Sequence, residues 1–194
     1  VMQAERTQND LIQEFIPVAG MRHLSLPDGS QVQLNSKSTL LYPKQFTGKE
    51  RCVYLVGEAN FKVKPDKKHP FIVKSDDFQV TALGTEFNVS AYPENPEVST
   101  ALLSGSVLVE WGNLQPDEQL TYDKENRRFR VVHPDMADVT AWQRGELVFN
   151  EMTVEDIIRV LERKYDYTFV YSLNQLKKDR LSFRFKDKAP LAEV

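Results

Sequence analysis

From about residue 24 to residue 132, short apolar alternations are cut by Gly, Pro, Asn and Asp about every 8–12 positions, a rhythm that only a strand-rich fold accommodates. Leu24 and Leu26, then Pro27-Asp28-Gly29, then Gln31-Val32-Gln33-Leu34 read as strand, turn and half-buried strand. Val53, Leu55, Ala59, Phe61 and Val63 share one parity while Lys62 and Lys64 take the other, so one face packs and one is wet. Phe71 to Val73, Phe78 to Leu83, Phe87 to Ala91, Thr100 to Leu103, Val107 to Trp111, Leu120 to Tyr122 and Phe129 to Val132 continue the pattern. The expected architecture is mainly β, an all-β sandwich, jelly roll or short solenoid, because periodicity alone does not choose among them.

The pattern changes after His133-Pro134. Leu147-Val148-Phe149 is a short strand, and Thr153 is placed to cap a helix whose first turn holds Glu155 and Asp156. Val154, Ile157, Ile158, Leu161 and Tyr165 then recur at helical spacing and predict one amphipathic helix. Thr168 to Tyr171 and Leu181 to Phe185 read as further strands, with Pro190 where a second helix would begin. The run from Phe185 to Val194 loosely echoes Phe149 to Ile157, so the C-terminal α+β subdomain is expected to be a partial βαβ unit cut inside a second copy. The expected domains are a linker over 1–20, following a membrane span absent from this sequence, an all-β domain over 21–135 and a truncated α+β subdomain over 138–194.

Composition closes off several classes. With 41% hydrophobic and 27% charged residues, 194 residues can bury a core without disulfides or structural metals. A net charge of -3, from 28 acidic and 25 basic residues, offers nucleic acid no global attraction. No apolar run approaches the roughly 18 residues that a membrane span needs. The single Cys52 forbids an internal disulfide and, with three histidines, builds no zinc site.

The usual catalytic constellations are also absent: no Gly-rich phosphate loop, no His-Glu-x-x-His, no Gly-x-Ser-x-Gly and no His/Asp/Glu cluster with metal spacing. No cofactor, metal or nucleic acid is expected. His23, His69 and His133 read as surface residues, and Lys64 to Lys68 as a charged hairpin tip. Arg127-Arg128-Phe129-Arg130 is the densest basic run, read as a solvated edge face rather than a single-strand nucleic-acid platform. Trp111 and Trp142 motivate an alternative role as a glycan-binding β module, since an exposed indole suits a pyranose face, while packing at a core or domain junction is the plainer reading. A hydrolase using two of the many carboxylates is a third, remoter class.

The ordered blocks resemble one family. Leu26-Pro27-Asp28-Gly29-Ser30 with Val32, Leu34-Asn35, Ser38 and Tyr42-Pro43 look like the opening of the periplasmic domain of FecR-type anti-sigma regulators. Gly57-Glu58-Ala59 with Phe61 and Val63, Pro70-Phe71 with Val73, Leu83 to Val89, Gly105 with Val107, and Leu114 with Pro116 follow in the family's order. Ala141-Trp142 with Gly145, Leu147, Phe149 and the helix is similar to the C-terminal segment, itself like the small signalling domain of secretins and TonB-dependent transporters. The resemblance spans about residues 20 to 194, with Asn60 and Asp117 as local departures. Most matched residues are structural in kind: Asp28-Gly29 and Gly57 suit turns or bulges, Asn35 and Asn88 local backbone bonds, and Phe61, Phe71 and Phe87 a core.

The resemblance implies the periplasmic region of a single-pass inner-membrane regulator of transcription. A missing cytoplasmic domain would bind an extracytoplasmic-function sigma factor, and the signalling domain of an outer-membrane TonB-dependent transporter, for an iron chelate or a glycan, would dock on this region. The expected receiving surface is the C-terminal subdomain, with the edge strand Arg180, Leu181, Ser182, Phe183, Arg184 and Phe185 as partner-binding residues and Arg180 and Arg184 steering an acidic partner. No enzyme turnover is expected, with one exception. Gly84-Thr85 is a candidate self-cleavage step, in which the Thr85 hydroxyl attacks the preceding carbonyl in an N-to-O acyl shift. A Gly-Thr bulge or tight turn is the structural alternative.

Overall fold

The computed structural model describes residues 10–76, 78–109, 112–172, 179–186, 189–190 and 192. Four short strands, β1 (Leu11–Phe15), β2 (Arg22–Ser25), β3 (Gln31–Leu34) and β4 (Thr39–Pro43), lead into the longest, β5 (Arg51–Lys62). β5 belongs to both halves of a single curled sheet. Its first half pairs antiparallel with β4 and parallel with β6 (Phe71–Ser75), and its second half pairs antiparallel with β3 and with β8 (Glu86–Ala91). From β6 one half continues through β7 (Phe78–Ala82), β10 (Val107–Val109) and β11 (Gly112–Leu114). From β8 the other continues through β9 (Glu97–Ser104), β12 (Gln119–Asp123) and β13 (Arg128–Val132). The mainly β architecture expected from the alternation is therefore present, with the inward parity Val53, Leu55, Ala59 and Phe61 buried along the shared strand.

The curl closes on aromatic side chains from three strands. Phe61 stacks on Phe87 at 5.3 Å and tilts against Phe71 at 5.9 Å, all three fully buried. Each such side chain removed from water contributes about 1.5–3 kcal/mol. The bend that lets β5 change halves falls at Gly57, whose φ is +103°. A Cβ there would lie 2.4 Å from Ser38 Oγ and 2.7 Å from Ser38 Cα, so glycine is required by both conformation and space.

Three features depart from the local reading. Residues 1–20, expected as linker, contribute β1, which pairs with β4 from Leu11↔Pro43 to Phe15↔Thr39. Lys64 to Lys68 is no hairpin tip: β6 lies parallel to the start of β5, so the chain must return along β5 in a crossover. That crossover is pinned by Asp66, whose amide donates to Leu83 O and whose carboxylate accepts from the Lys68 amide and meets His69 Nδ1 at 2.7 Å. Thr168 to Tyr171 forms no strand. Phe169 packs inward and donates its amide to Glu162 Oε1, while Val170 stands 97% exposed with no neighbouring strand among the described residues to pair it.

The C-terminal subdomain begins with the short helix α1 (Met136–Val139), capped by Asp135, and a 3₁₀ turn over Ala141–Arg144. Strand β14 (Glu146–Thr153), helix α2 (Val154–Lys164) and strand β15 (Arg180–Lys186) follow. Thr153 caps α2 by accepting from the Asp156 amide, and Arg159 ties Glu155 and Asp156 together in the first turn. The strand–helix–strand unit is present, but β14 and β15 run antiparallel. Leu147, Phe149, Ile157 and Leu161 form a second core separate from the first. The expected second helix falls largely on residues 191, 193 and 194, outside the described residues.

Substituting Gly57 by alanine is expected to lower unfolding free energy by about 1–3 kcal/mol, from positive-φ strain plus overpacking against Ser38. Urea denaturation of the variant checks this, and an unchanged midpoint would show that the bend tolerates a Cβ.

Candidate partner-binding site

The six residues expected to bind a partner all lie on β15, and the structure gives them unequal tasks. Phe183 and Phe185 turn inward and stack on Phe149 at 4.6 and 5.7 Å. Leu181 remains 42% exposed. Opposite it, β14 carries a bulge between Phe149 and Met152, with Glu151 at φ +49°. Ser182 clamps that bulge: its Oγ accepts from the Glu151 amide at 2.8 Å and donates to Glu151 Oε1 at 3.1 Å. Arg180 donates to Glu151 O at 2.7 Å, and Arg184 pairs with Asp138 and, at 3.4 Å, with Glu146. The two arginines expected to steer an acidic partner are thus already engaged within the subdomain. Among the described residues, β15 pairs with β14 alone, so its other backbone edge is left without a strand.

A polar seam that the sequence reading missed joins this subdomain to the curled sheet. Lys164, buried at the end of α2, donates to Asn35 Oδ1 at 2.9 Å, and Asn35 Nδ2 donates to Glu58 Oε2 at 2.9 Å. Glu58 Oε1 accepts from Asn88 Nδ2 at 3.0 Å, and Asn88 Oδ1 accepts from Trp142 Nε1 at 3.2 Å. Alongside, Arg163 donates to Glu94 Oε1 at 2.7 Å and lies 3.9 Å over the Tyr92 ring. Burial, then the nearby Glu58 carboxylate, pushes the Tyr92 phenol well above its ordinary value, so it stays a donor, to Ser36 O at 2.7 Å. Asn35 and Asn88 were read as local backbone binders. Asn35 does accept from the Ser36 amide, but both mainly bridge the two units. The available signal was a polar residue at a core position, Asn88 between Phe87 and Val89.

Trp142 is 6% exposed and its indole N–H is spent on Asn88, so it offers no sugar platform. Trp111, the other residue behind the glycan alternative, lies outside the described residues. Gly84 lies two residues past the end of β7: a Cβ there would meet Pro65 Cα at 2.9 Å, and a Cβ on Gly105 would lie 2.8 Å from the Gly84 carbonyl oxygen. Thr85 is 4% exposed and its hydroxyl donates to Ser106 O at 2.9 Å. The Gly-Thr step is thus closely packed and its hydroxyl is hydrogen-bonded. No group of three or more His, Cys, Asp or Glu side chains is arranged to hold a metal among the described residues.

These features coincide with those of one family. The family described as FecR protein matches residues 15–108, and that described as FecR, C-terminal, matches residues 146–194. Two crystal structures of a proposed anti-sigma factor from Parabacteroides distasonis superpose closely. One, at 2.50 Å resolution, is 32% identical with a TM-score of 0.86, over 92% of this chain and 86% of that one. The other, at 1.65 Å, is 31% identical with a TM-score of 0.87, over 94% of this chain and 88% of that one. No curated protein matches the chain. The chain belongs to the FecR family.

Burial opposes ionisation of Glu94, but hydrogen bonds from its own amide and from Arg163 outweigh it and hold the carboxyl below its ordinary value. A depressed folded-state value means that this contribution is complete above the unfolded value and is lost as pH falls through the folded one. The Glu94 contribution is therefore expected to be indifferent to pH near neutrality and to be lost only in acid, below the ordinary glutamate value. Denaturation of Glu94→Gln alongside the parent should show a shallower acid loss in the variant. Equal slopes would remove Glu94 from the seam's acid response.

Proposed function

We infer that this FecR-family chain is the signal-receiving region of an anti-sigma regulator, acting as an interaction module rather than through enzyme turnover. In this reading it is the periplasmic part of a single-pass inner-membrane protein. It relays the ligand occupancy of an outer-membrane TonB-dependent transporter to an extracytoplasmic-function sigma factor held by a cytoplasmic domain. No helix among the described residues is long and apolar enough to cross a membrane. The observation that carries the reading is β15: a strand whose outer backbone edge is unpaired among the described residues, in a small unit with its own core, matched to the family's C-terminal domain. Backbone pairing to such an edge suits a receiver of another domain's strand.

Titration calorimetry with the purified signalling domain of a TonB-dependent transporter tests the reading. Ser182→Pro is expected to weaken binding by at least about tenfold, because proline removes a backbone donor and bends the strand. Ser182→Ala, which removes only the clamp on Glu151, separates edge pairing from loss of the bulge. Unchanged affinity in the proline variant would take β15 out of the interface.

Self-cleavage at Gly84-Thr85 belongs to the same reading as a single-turnover event that prepares the regulator. The peptide bond would pass to an ester on Thr85 Oγ1, which water then hydrolyses. Intact mass under denaturing conditions is expected to show two fragments, and one full-length species in Thr85→Ala. A single full-length species in the parent after prolonged incubation at neutral pH would overturn it.

A further inference from the structure

The curl does not close. One half of the sheet ends at β11 and the other at β13, and among the described residues neither is paired beyond that end. Between them runs a groove of about 180 Å³. Its floor is made by Val109, Leu114 and Leu120, all members of the main core, and its wall by Phe129 and Val131. Register divides β13 cleanly. Phe129 and Val131 lie opposite Tyr122 and Leu120 on the groove side, and Arg128 and Arg130 lie opposite Asp123 and Thr121 on the outer side. Leu120 is 3% exposed and Val131 is 50% exposed, so an apolar row that starts in the core runs out to solvent at this edge.

The basic run singled out in the sequence forms the other face of this edge. Arg130 shares its charge with Glu97 at 2.7 Å, whereas Arg127 and Arg128 are exposed and make no ion pair among the described residues. Charged side chains commonly protect an edge strand against indiscriminate pairing. Here the register puts Arg128 and Arg130 on the outer face, while β13 presents Phe129 and Val131 to the groove, whose lining also includes Glu118 and Arg130. Such an edge rejects basic strands and accepts one whose apolar side chains fill the groove while its acidic ones meet the arginines. Two copies of this chain do not satisfy it, because side-by-side β13 strands would set the arginines of one against those of the other.

We propose that the outer edge of β13 is a docking site for an extended segment of a different protein, with apolar and acidic residues in alternation, added as a further strand of the curled sheet. Its backbone supplies the hydrogen bonds that the edge lacks, its apolar residues extend the Leu120–Val131 row over the groove, and a carboxylate faces Arg128, which makes no ion pair among the described residues. The site lies on the β domain, on elements separate from β15, and does not depend on the role assigned to the C-terminal subdomain.

A fluorescently labelled peptide of about eight residues, alternating valine and glutamate, titrated into the 194-residue chain at low salt, tests this. Anisotropy is expected to show binding about fivefold tighter than for the valine–lysine peptide, from one cross-strand pair at Arg128 that is opposite in charge with glutamate and like in charge with lysine. The Arg128→Glu variant is expected to reverse that preference, and its circular dichroism reports that it folds. On binding, amides within residues 128–132 are expected to gain protection from hydrogen exchange. Equal affinity for both peptides, protection confined to β15, or sedimentation showing self-association blocked by Arg128→Glu would each overturn the proposal.

Discussion

The architecture turns on the approach of β5 to Ser38. Gly57 brings its backbone closer than any Cβ permits, and Ser38 Oγ fills the space by accepting from the Glu58 amide at 2.8 Å. That contact lets one strand serve two sheet halves, held by β4 and β6 before the bend and by β3 and β8 after it. It also aims Glu58, the first residue past the bend, between Asn35 and Asn88. The core behind the bend and the seam in front of it therefore rest on the same few atoms.

The seam is polar where each unit's interior is apolar. Two separate hydrophobic clusters would give stable units free to slide against one another if only apolar surface met. A chain of directional bonds from Lys164 through Asn35, Glu58 and Asn88 to Trp142 defines one orientation instead. Buried polar networks of this kind add modest net stability and lose more when one member is removed than they gained when complete. That balance holds the two units in one arrangement without welding them together.

Much of this was legible locally. Alternation along β5, the Asp28-Gly29 turn between β2 and β3, and the Thr153 cap with its apolar stripe on α2 each concern residues within one or two turns of one another. The ordered blocks from Leu26 to Phe149 likewise identified the family, since many short matches in order are more specific than any one of them. β1 was hidden because Leu11 to Phe15 becomes a strand only when β4 is beside it. Thr168 to Tyr171 has strand-like residues but finds no neighbour to pair with among the described residues. Of the β15 residues, the sequence located the strand, but it did not show that Arg180, Ser182 and Arg184 would be bound to Glu151, Asp138 and Glu146 across a bulge.

By itself the sequence determined the mainly β class, the change to an α+β unit after His133-Pro134, the α2 helix and the family, because periodicity, turn chemistry and capping act over a few residues. Tertiary structure alone decided that β6 runs parallel to β5, that Asn35 and Asn88 reach across the chain to Lys164 and Trp142, and that the Arg127 to Arg130 run borders an open apolar groove. Those outcomes depend on which residues distant in sequence come within about 3 Å, the range over which a hydrogen bond forms, and no local pattern encodes that.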